Sequence, residues 1–317
     1  MKAALVIEAG QAPVYGEFPT PEPKPGKSLV RVTGSAISHV TKARASGRHY
    51  SSEGELPFVP GIDGVGVTED GKRVYFLLPE KPSGGMAEYS VVDDHRLIAL
   101  PEGLDDPTAA AIAIPGMSSW AALVERAKLI KGETVLVNGA TGTSGRLAVQ
   151  IAKHLGAKKI VATGRNAGRF DELRLLGADA TIPLTQAPDA LESAFEEEFR
   201  QGIDVVLDYL WGASAEALIV AGAKSGPEGV PIRYVQIGSV SGANINLPSA
   251  ALRSSALQLM GSGIGSIPLH RLLSAIQGVL EAAHATGLKI AVETTPLAGI
   301  TKVWESDQAE GRIVLIP

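Results

Sequence analysis

The 317-residue chain contains no cysteine. This absence excludes a disulfide, a thiolate metal site and a cysteine nucleophile, so redox chemistry must come from a bound cofactor. An excess of positive charge is also missing. The 29 Lys and Arg residues against 34 Asp and Glu residues give a formal net charge of −5. This mild acidity offers no electrostatic case for binding nucleic acid.

Long apolar segments are missing as well. The N-terminal stretch MKAALVIEAGQAP holds five consecutive apolar residues before Glu8, which is too short for the core of a signal peptide. No uninterrupted apolar run reaches the roughly 18 residues that a transmembrane helix needs. We therefore expect a cytoplasmic protein that does not insert into a membrane.

The pattern of apolar residues changes along the chain, from short strand-like runs to alternating strands and helices. The runs KAALVI, SLVRV, GVGVT, RVYFLL and MAEYSVV, separated by segments rich in Pro, Gly and charge, predict an all-β region over about the first hundred residues. From Asp106 a long alanine-rich helix is predicted, and from Thr134 apolar strands alternate with amphipathic helices. This alternation predicts an α/β domain with a parallel sheet covered on both faces.

One strand–turn–helix unit, VLVNGATGTSGRLAVQIAKHLGA, carries glycines at Gly139, Gly142 and Gly145. Glycines allow a sharp turn and let a pyrophosphate approach the N-terminus of the following helix. A second strand, KIVATG, ends about twenty residues later, as in a dinucleotide-binding unit. The turn is not a phosphate-binding Walker loop, and no Tyr of the chain has a Lys four residues later, as short-chain dehydrogenases require.

Seven stretches, in order, resemble the medium-chain dehydrogenase/reductase superfamily: PFVPGIDGVGV, GKRV, GMSSWAAL, GATGTSGRLAVQIAK, DVVLDYLWG, VQIGSVSG and GRIVLIP. The resemblance implies a GroES-like β-barrel substrate domain over 1–115 and a doubly wound, NADPH-binding Rossmann domain over 116–265. It also implies a C-terminal return to the substrate domain over 266–317, an active site in the cleft between the domains, and a homodimer paired through ALQLMGSG.

The zinc ligands of alcohol dehydrogenases in this superfamily have no counterparts here. Ser38 occupies the position of the metal-binding Cys, Val40 that of the proton-relay Thr, and Gly61-Ile62-Asp63 stands in place of Gly-His-Glu. A catalytic zinc needs three protein ligands, so no metal is expected. The resemblance then narrows to the zinc-independent branch of quinone oxidoreductases, zeta-crystallins and enoyl reductases. It implies an enzyme that transfers hydride from a reduced nicotinamide to a quinone or an α,β-unsaturated carbonyl.

The residues after KIVATG predict which nicotinamide cofactor is used. NAD-binding versions carry an acid there, but none occurs between Val161 and Phe170, whereas Arg165 and Arg169 do. Arg169 also matches the position at which relatives grip the 2′-phosphate of NADPH; alternatively, both arginines only cap a surface loop. The resemblance places Ser118 at the edge of the nicotinamide. The full set of expected cofactor-binding residues is Ser118, Gly139, Thr141, Gly142, Thr143, Ser144, Gly145, Gly164, Arg165, Arg169, Ile237, Gly238, Ser239, Gly261 and Gly263.

The substrate contacts and the proton donor are assigned on the same resemblance. Ser38, His39 and Tyr50 are expected to contact substrate, and Tyr50 and Ser118 are the candidate catalytic residues. Two alternatives stay open. An enoyl-thioester reductase would use a basic entry formed by Lys42, Arg44, Arg48 and His49. A low-turnover NADPH-binding structural or sensor protein would explain the changes at Ser38, Val40 and Ala43.

Overall fold

The computed structural model describes residues 1–47, 56–306 and 311–317. The chain divides into two compact units. One comprises Met1–Ile114 together with Leu280–Pro317, and the other comprises Pro115–Val279. The sequence predicts domain boundaries after residues 115 and 265. The second boundary of the compact units falls instead at 279/280, within a helix.

The first unit begins with strands that alternate with tight turns, as the runs in the sequence predict. They are β1 (Lys2–Leu5), β2 (Val14–Glu17), β3 (Lys27–Ala36), β4 (Asp63–Thr68), β5 (Arg73–Leu77), β6 (Tyr89–Asp93) and β7 (Leu97–Ala99). A short helix that the sequence did not suggest, α1 (His39–Ala45), follows β3. The long helix α2 (Asp106–Ala121) continues as a wider helical turn over Ala122–Arg126.

The second unit alternates strands and helices. Its strands are β8 (Thr134–Asn138), β9 (Lys159–Gly164), β10 (Ala180–Pro183), β11 (Val205–Asp208), β12 (Ile232–Gln236) and β13 (Leu257–Gly261). The connecting helices are α3 (Thr143–His154), α4 (Phe170–Leu176), α5 (Pro188–Arg200), α6 (Gly212–Ser225) and α7 (Ser249–Arg253), and α8 (Leu269–Thr286) follows β13. All the pairings in this sheet are parallel.

The strand order of this sheet is β10-β9-β8-β11-β12-β13. Counted within the unit, that is 3-2-1-4-5-6, the order of a doubly wound dinucleotide-binding fold. Strand β8 is buried at every position, because helices must cover both faces of a parallel sheet. Leu136, Val206, Phe195 and Leu218 belong to one core cluster of this unit.

After α8 the chain adds β14 (Val292–Pro296), α9 (Ile300–Trp304) and β15 (Arg312–Ile316). Strand β15 pairs antiparallel with β3 and parallel with β14. The two C-terminal strands thereby extend a mixed sheet of order β14-β15-β3-β4-β5-β7, in which β6 also pairs with β3. Its core includes Val6, Met86, Ile300 and Leu315.

One helix in the described part of the chain, Asp106–Arg126, is long and apolar enough to pass a test for membrane spans. Its best 18-residue window has a mean hydropathy of 1.3, and 72% of that window is buried inside the protein. The buried core helix of a globular unit passes the same test, so this helix is weak evidence for a membrane span.

Candidate dinucleotide-binding site

The glycine turn of the sequence follows β8, at the point where the winding of the sheet reverses. From β8 the chain proceeds to β9 and β10 on one side, and returns to β11, β12 and β13 on the other. Doubly wound folds bind their ligands outside the carboxyl ends of the strands at such a switch point.

The three glycines of the turn have different geometric roles. Gly139 has φ +91°, which disfavours a side chain. A Cβ added to Gly145 would lie 2.3 Å from the carbonyl oxygen of Gly139 and 2.6 Å from the Cα of Ala140, so only glycine lets α3 approach the turn this closely. A Cβ at Gly142 would meet nothing nearer than 3.8 Å. Gly142 therefore leaves open space on the exposed side of the turn.

The N-terminus of α3 faces that open space. Its capping residue, Gly142, provides no side-chain hydrogen bond, so the N–H groups of Thr143, Ser144 and Gly145 have neither a cap nor an intrahelical acceptor. These donors and the positive end of the helix dipole stabilise an anion. The turn therefore fits a pyrophosphate, which Gly142 can admit without a steric clash.

The end of β9 adjoins the same turn. A Cβ at Gly164 would lie 2.4 Å from Cγ2 of Thr141, and the N–H of Ala140 donates to the carbonyl oxygen of Thr163 over 2.8 Å. Thr141 and Gly164 thus lie together, as a dinucleotide site requires. Arg165 follows Gly164 and is exposed.

The second arginine, Arg169, is half-buried and has one acidic neighbour. Its guanidinium lies 3.6 Å from one carboxylate oxygen of Glu172, and the other oxygen of Glu172 accepts from Arg146 over 2.9 Å. Asp171 lies inside α4, where its carboxylate accepts from Arg174 over 2.7 Å. Neither acid belongs to the end of β9, where a carboxylate would bind the ribose of NAD.

A buried hydrogen-bond network, which the sequence analysis does not predict, joins the carboxyl ends of β8, β9 and β11 to Tyr234 in the middle of β12. The side chain of Asp208 is completely buried and accepts from Asn138 Nδ2 over 2.8 Å and from the Tyr234 hydroxyl over 2.8 Å. Asn138 Oδ1 in turn accepts from the Thr163 hydroxyl over 2.7 Å. The sequence signal that could have indicated this network is the polar residue at the end of several apolar strands, as in TVLVN and DVVLD.

The Asp208 side chain also fixes the turn after β11. It accepts from the backbone N–H groups of Leu210 over 2.9 Å and of Trp211 over 3.1 Å. Trp211 has φ +59°, a strained conformation for a residue with a side chain. The buried acceptor stabilises this strained turn beside the switch point.

The other cofactor residues expected in this unit lie at the ends of β12 and β13 and on α2. Ile237, Gly238 and Ser239 follow β12, and the N–H groups of Ile237 and Gly238 donate to the Asp208 carbonyl oxygen over 2.7 and 3.1 Å. Gly261 ends β13 with open space around it, whereas the Gly263 N–H donates to the Ser266 hydroxyl over 2.8 Å. The Ser118 hydroxyl donates to the Pro115 carbonyl oxygen over 2.7 Å.

The substrate residues expected from the sequence belong to the first unit. Ser38 is buried and caps α1, where its oxygen accepts from the Thr41 N–H over 3.0 Å. His39 begins α1 and is exposed. Tyr50, with Arg48 and His49 of the thioester alternative, lies outside the described residues.

The positions that correspond to zinc ligands in alcohol dehydrogenases are buried in this structure at Ser38 and Ile62. Ile62 is buried, and the completely buried Asp63 accepts from the Tyr75 hydroxyl over 3.0 Å. Among the residues that the structure describes, no three His, Asp or Glu side chains are grouped to hold a metal ion. A cavity of about 720 Å³ in this unit is lined by Thr41, Phe58 and Ile62, among other residues.

Comparison with known proteins supports the resemblance drawn from the motifs. The family model described as "Zinc-binding dehydrogenase" matches residues 145–281. The Emericella nidulans protein described as "Probable NADPH-dependent quinone reductase tdiC" is 30% identical over 100% of both chains. The chain belongs to the zinc-independent quinone oxidoreductase branch of the medium-chain dehydrogenase/reductase superfamily.

Two further proteins are similar to the chain. An Arabidopsis thaliana protein named "NADPH-dependent alkenal/one oxidoreductase, chloroplastic" is 29% identical over 62% of this chain and 57% of its own length. The quinone oxidoreductase of Thermus thermophilus, whose structure was solved alone and with NADPH, is 27% identical over 100% of both chains with a TM-score of 0.83.

Proposed function

We propose that the protein is an NADPH-dependent reductase that transfers hydride to a quinone or to an α,β-unsaturated carbonyl without zinc. The observation that carries the proposal is the turn from Gly139 to Gly145 at the switch point, next to a β9 end that has arginines and no acid. The names of the Emericella, Arabidopsis and Thermus relatives support the same cofactor and the same acceptor classes.

NADPH, when bound, supplies the hydride; the protein contributes binding and orientation. The N–H groups of Thr143, Ser144 and Gly145 hold the pyrophosphate, while Arg165 and Arg169 hold the 2′-phosphate with charge-assisted hydrogen bonds. Ser118 and the backbone over 237–239 orient the nicotinamide end. A reduced quinone can take its proton from water, so no protein acid is required for that acceptor.

The acceptor classes are separated by measuring NADPH oxidation with quinones, enones and enoyl thioesters. We expect turnover with quinones or enones that is insensitive to a metal chelator. The chain carries no ligand at Ser38 or Ile62 with which to hold a catalytic zinc. Preference for the thioester would favour the enoyl-thioester alternative. Binding of NADPH without turnover of any acceptor would favour the structural or sensor alternative.

We also propose that the protein is a homodimer and that it is located in the cytoplasm. Strand β13 lies at the edge of its sheet, and Leu259 on it is 38% exposed. An open apolar edge strand favours pairing with another strand. A homodimer joined through 256–263 in the cytoplasm would cover this edge. Light scattering should give the mass of two chains, and the mass of one chain would contradict the dimer.

A further inference from the structure

The start of helix α3 carries an arginine to which the cofactor site assigns no role. Arg146 is the fourth residue of α3, and its N–H donates to the carbonyl oxygen of the capping residue, Gly142, over 2.9 Å. Only 11% of its side chain is exposed. A cation at this end of a helix is opposed by the positive end of the helix dipole. The charge of Arg146 therefore needs a compensating group.

Glu172, on α4, is that compensating group, and Arg146 shares it with a second arginine. One carboxylate oxygen of Glu172 accepts from Arg146 over 2.9 Å, and the other lies 3.6 Å from the guanidinium of Arg169. Within the described part of the chain, Glu172 is the one acid that pairs with Arg169. The carboxylate thus joins the mostly buried arginine of α3 to the arginine that we expect to bind the 2′-phosphate.

A carboxylate in this position would weaken the binding of a phosphate unless its charge were balanced. It repels the phosphate, and it competes with the phosphate for the guanidinium of Arg169. Arg146 provides the balance, because two guanidiniums and one carboxylate leave the cluster with a net charge of +1. Without Arg146, the pair of Glu172 and Arg169 would be neutral and would offer the phosphate no net attraction.

The other acid at the start of α4 has a different environment. The side chain of Asp171 is 93% exposed, and its carboxylate accepts from Arg174 on the same helix over 2.7 Å. Water and salt screen the charges of such an exposed pair. The pair of Asp171 and Arg174 is therefore a control for the general effect of charge on α4.

We propose that Arg146 is a specificity-determining residue for the 2′-phosphate of NADPH and that it acts by balancing the charge of Glu172. This inference rests on the proposed function. The helix whose N-terminus holds the pyrophosphate thereby also sets the net charge that Arg169 presents near the end of β9. NADH has no 2′-phosphate, so its affinity does not depend on this balance.

The test is calorimetric titration of NADPH and NADH with Arg146→Met, Glu172→Gln and the double variant. Arg146→Met keeps a long side chain in the same space but leaves Glu172 unbalanced. Its Kd for NADPH should rise about 3- to 10-fold, because an unbalanced carboxylate opposes the phosphate, while its Kd for NADH should not change. The double variant restores the net charge of +1, so it should bind NADPH like the wild-type protein.

Glu172→Gln alone should bind NADPH more tightly than the wild-type protein, because both arginines remain and the competing charge is gone. This variant keeps the test decisive if Arg146→Met does not fold, since equal or weaker binding of NADPH would overturn the proposal. Arg174→Met is the matched control. It leaves Asp171 without its partner on the same helix, and it should change neither Kd.

Four other results would overturn the proposal. If Glu172→Gln does not rescue the loss in Arg146→Met, Arg146 does not act through Glu172. If Arg146→Met loses NADPH and NADH alike, Arg146 supports the helix or the pyrophosphate site instead. An equal loss in Arg174→Met would show only a general effect of charge, and an unchanged Kd for NADPH in Arg146→Met would remove the role altogether.

The wild-type protein separates the failure of this inference from the failure of the proposed function. If it binds NADPH and NADH equally, the cofactor assignment fails before any variant is compared. If it prefers NADPH and the preference survives in Arg146→Met, only the role of Arg146 is wrong.

Discussion

At the scale of single residues, Asp208 is the side chain on which the cofactor end of the sheet depends. It accepts from two side chains and two backbone N–H groups while completely buried. Asp208→Asn replaces one acceptor oxygen with a donor that faces other donors. We expect the free energy of unfolding to fall by about 2–3 kcal/mol. Urea unfolding measures this, and a variant as stable as the wild-type protein would contradict the network's role.

Asp63 predicts a pH dependence of stability. Burial raises its pKa to about 7, against the opposing effects of the Tyr75 hydrogen bond and the Arg312 charge. The folded protein therefore keeps a proton that the unfolded chain, with an Asp pKa of about 3.9, releases. This contribution to stability is complete below about pH 4 and is lost as the pH rises to about 7.

Asp63→Asn removes this titration while keeping an oxygen that can accept from Tyr75. Melting temperatures measured from about pH 4.5 to about pH 8 should fall more steeply with rising pH for the wild-type protein than for the variant. Parallel curves for the two proteins would show that Asp63 does not titrate in this range.

At the scale of elements, the glycine turn predicts opposite behaviour for two glycine-to-alanine variants. Gly145→Ala places a methyl group against the Gly139 carbonyl oxygen and Ala140, so it should cost about 1–3 kcal/mol of stability. Gly142→Ala has room for the methyl group and should fold normally. The methyl would then occupy the space left for pyrophosphate and weaken NADPH binding roughly tenfold or more.

Melting temperature and NADPH titration on both variants check this pair. The account of the turn would be wrong if Gly142→Ala bound NADPH like the wild-type protein, or if Gly145→Ala left the melting temperature unchanged.

The elements that sequence reasoning recovered are those with strong local signals. Continuous apolar strands such as TVLVN and the alternation with helices predict the parallel sheet, and the structure contains it. The sequence does not predict helix α1, because it is only seven residues long and its N-cap, Ser38, matches a metal-ligand position of the family and a substrate contact. The Asn138–Asp208 contact joins residues 70 positions apart, and no local pattern predicts such a pairing.

At the scale of the whole molecule, the order of strands and the path of the chain determine where the chemistry-bearing residues meet. The 3-2-1-4-5-6 order places the glycine turn, Tyr209 and Gly238 at one edge of one sheet. The resemblance implied that the glycine turn and Gly238 belong to the cofactor site, but it assigned no role to Tyr209, whose buried hydroxyl has no hydrogen-bond partner among the described residues. In the other sheet, strand β15 pairs with β3, so this pairing joins residues near the two ends of the chain.

The central claim is that the site is built for a 2′-phosphorylated cofactor, and it is tested by calorimetric titration of NADPH and NADH. The proteins compared are the wild type, the Arg165→Ala/Arg169→Ala variant and an Arg174→Ala control. Arg174 is an exposed arginine on α4 that pairs with Asp171. The wild-type protein should bind NADPH more tightly than NADH.

The double variant should weaken NADPH binding by roughly ten- to hundred-fold or more, because each charge-assisted hydrogen bond that is lost contributes about 1.5–3 kcal/mol. NADH binding should be almost unchanged, and the Arg174→Ala control should match the wild-type protein. Equal wild-type affinity for the two cofactors, or a double variant that loses both alike, would contradict the claim.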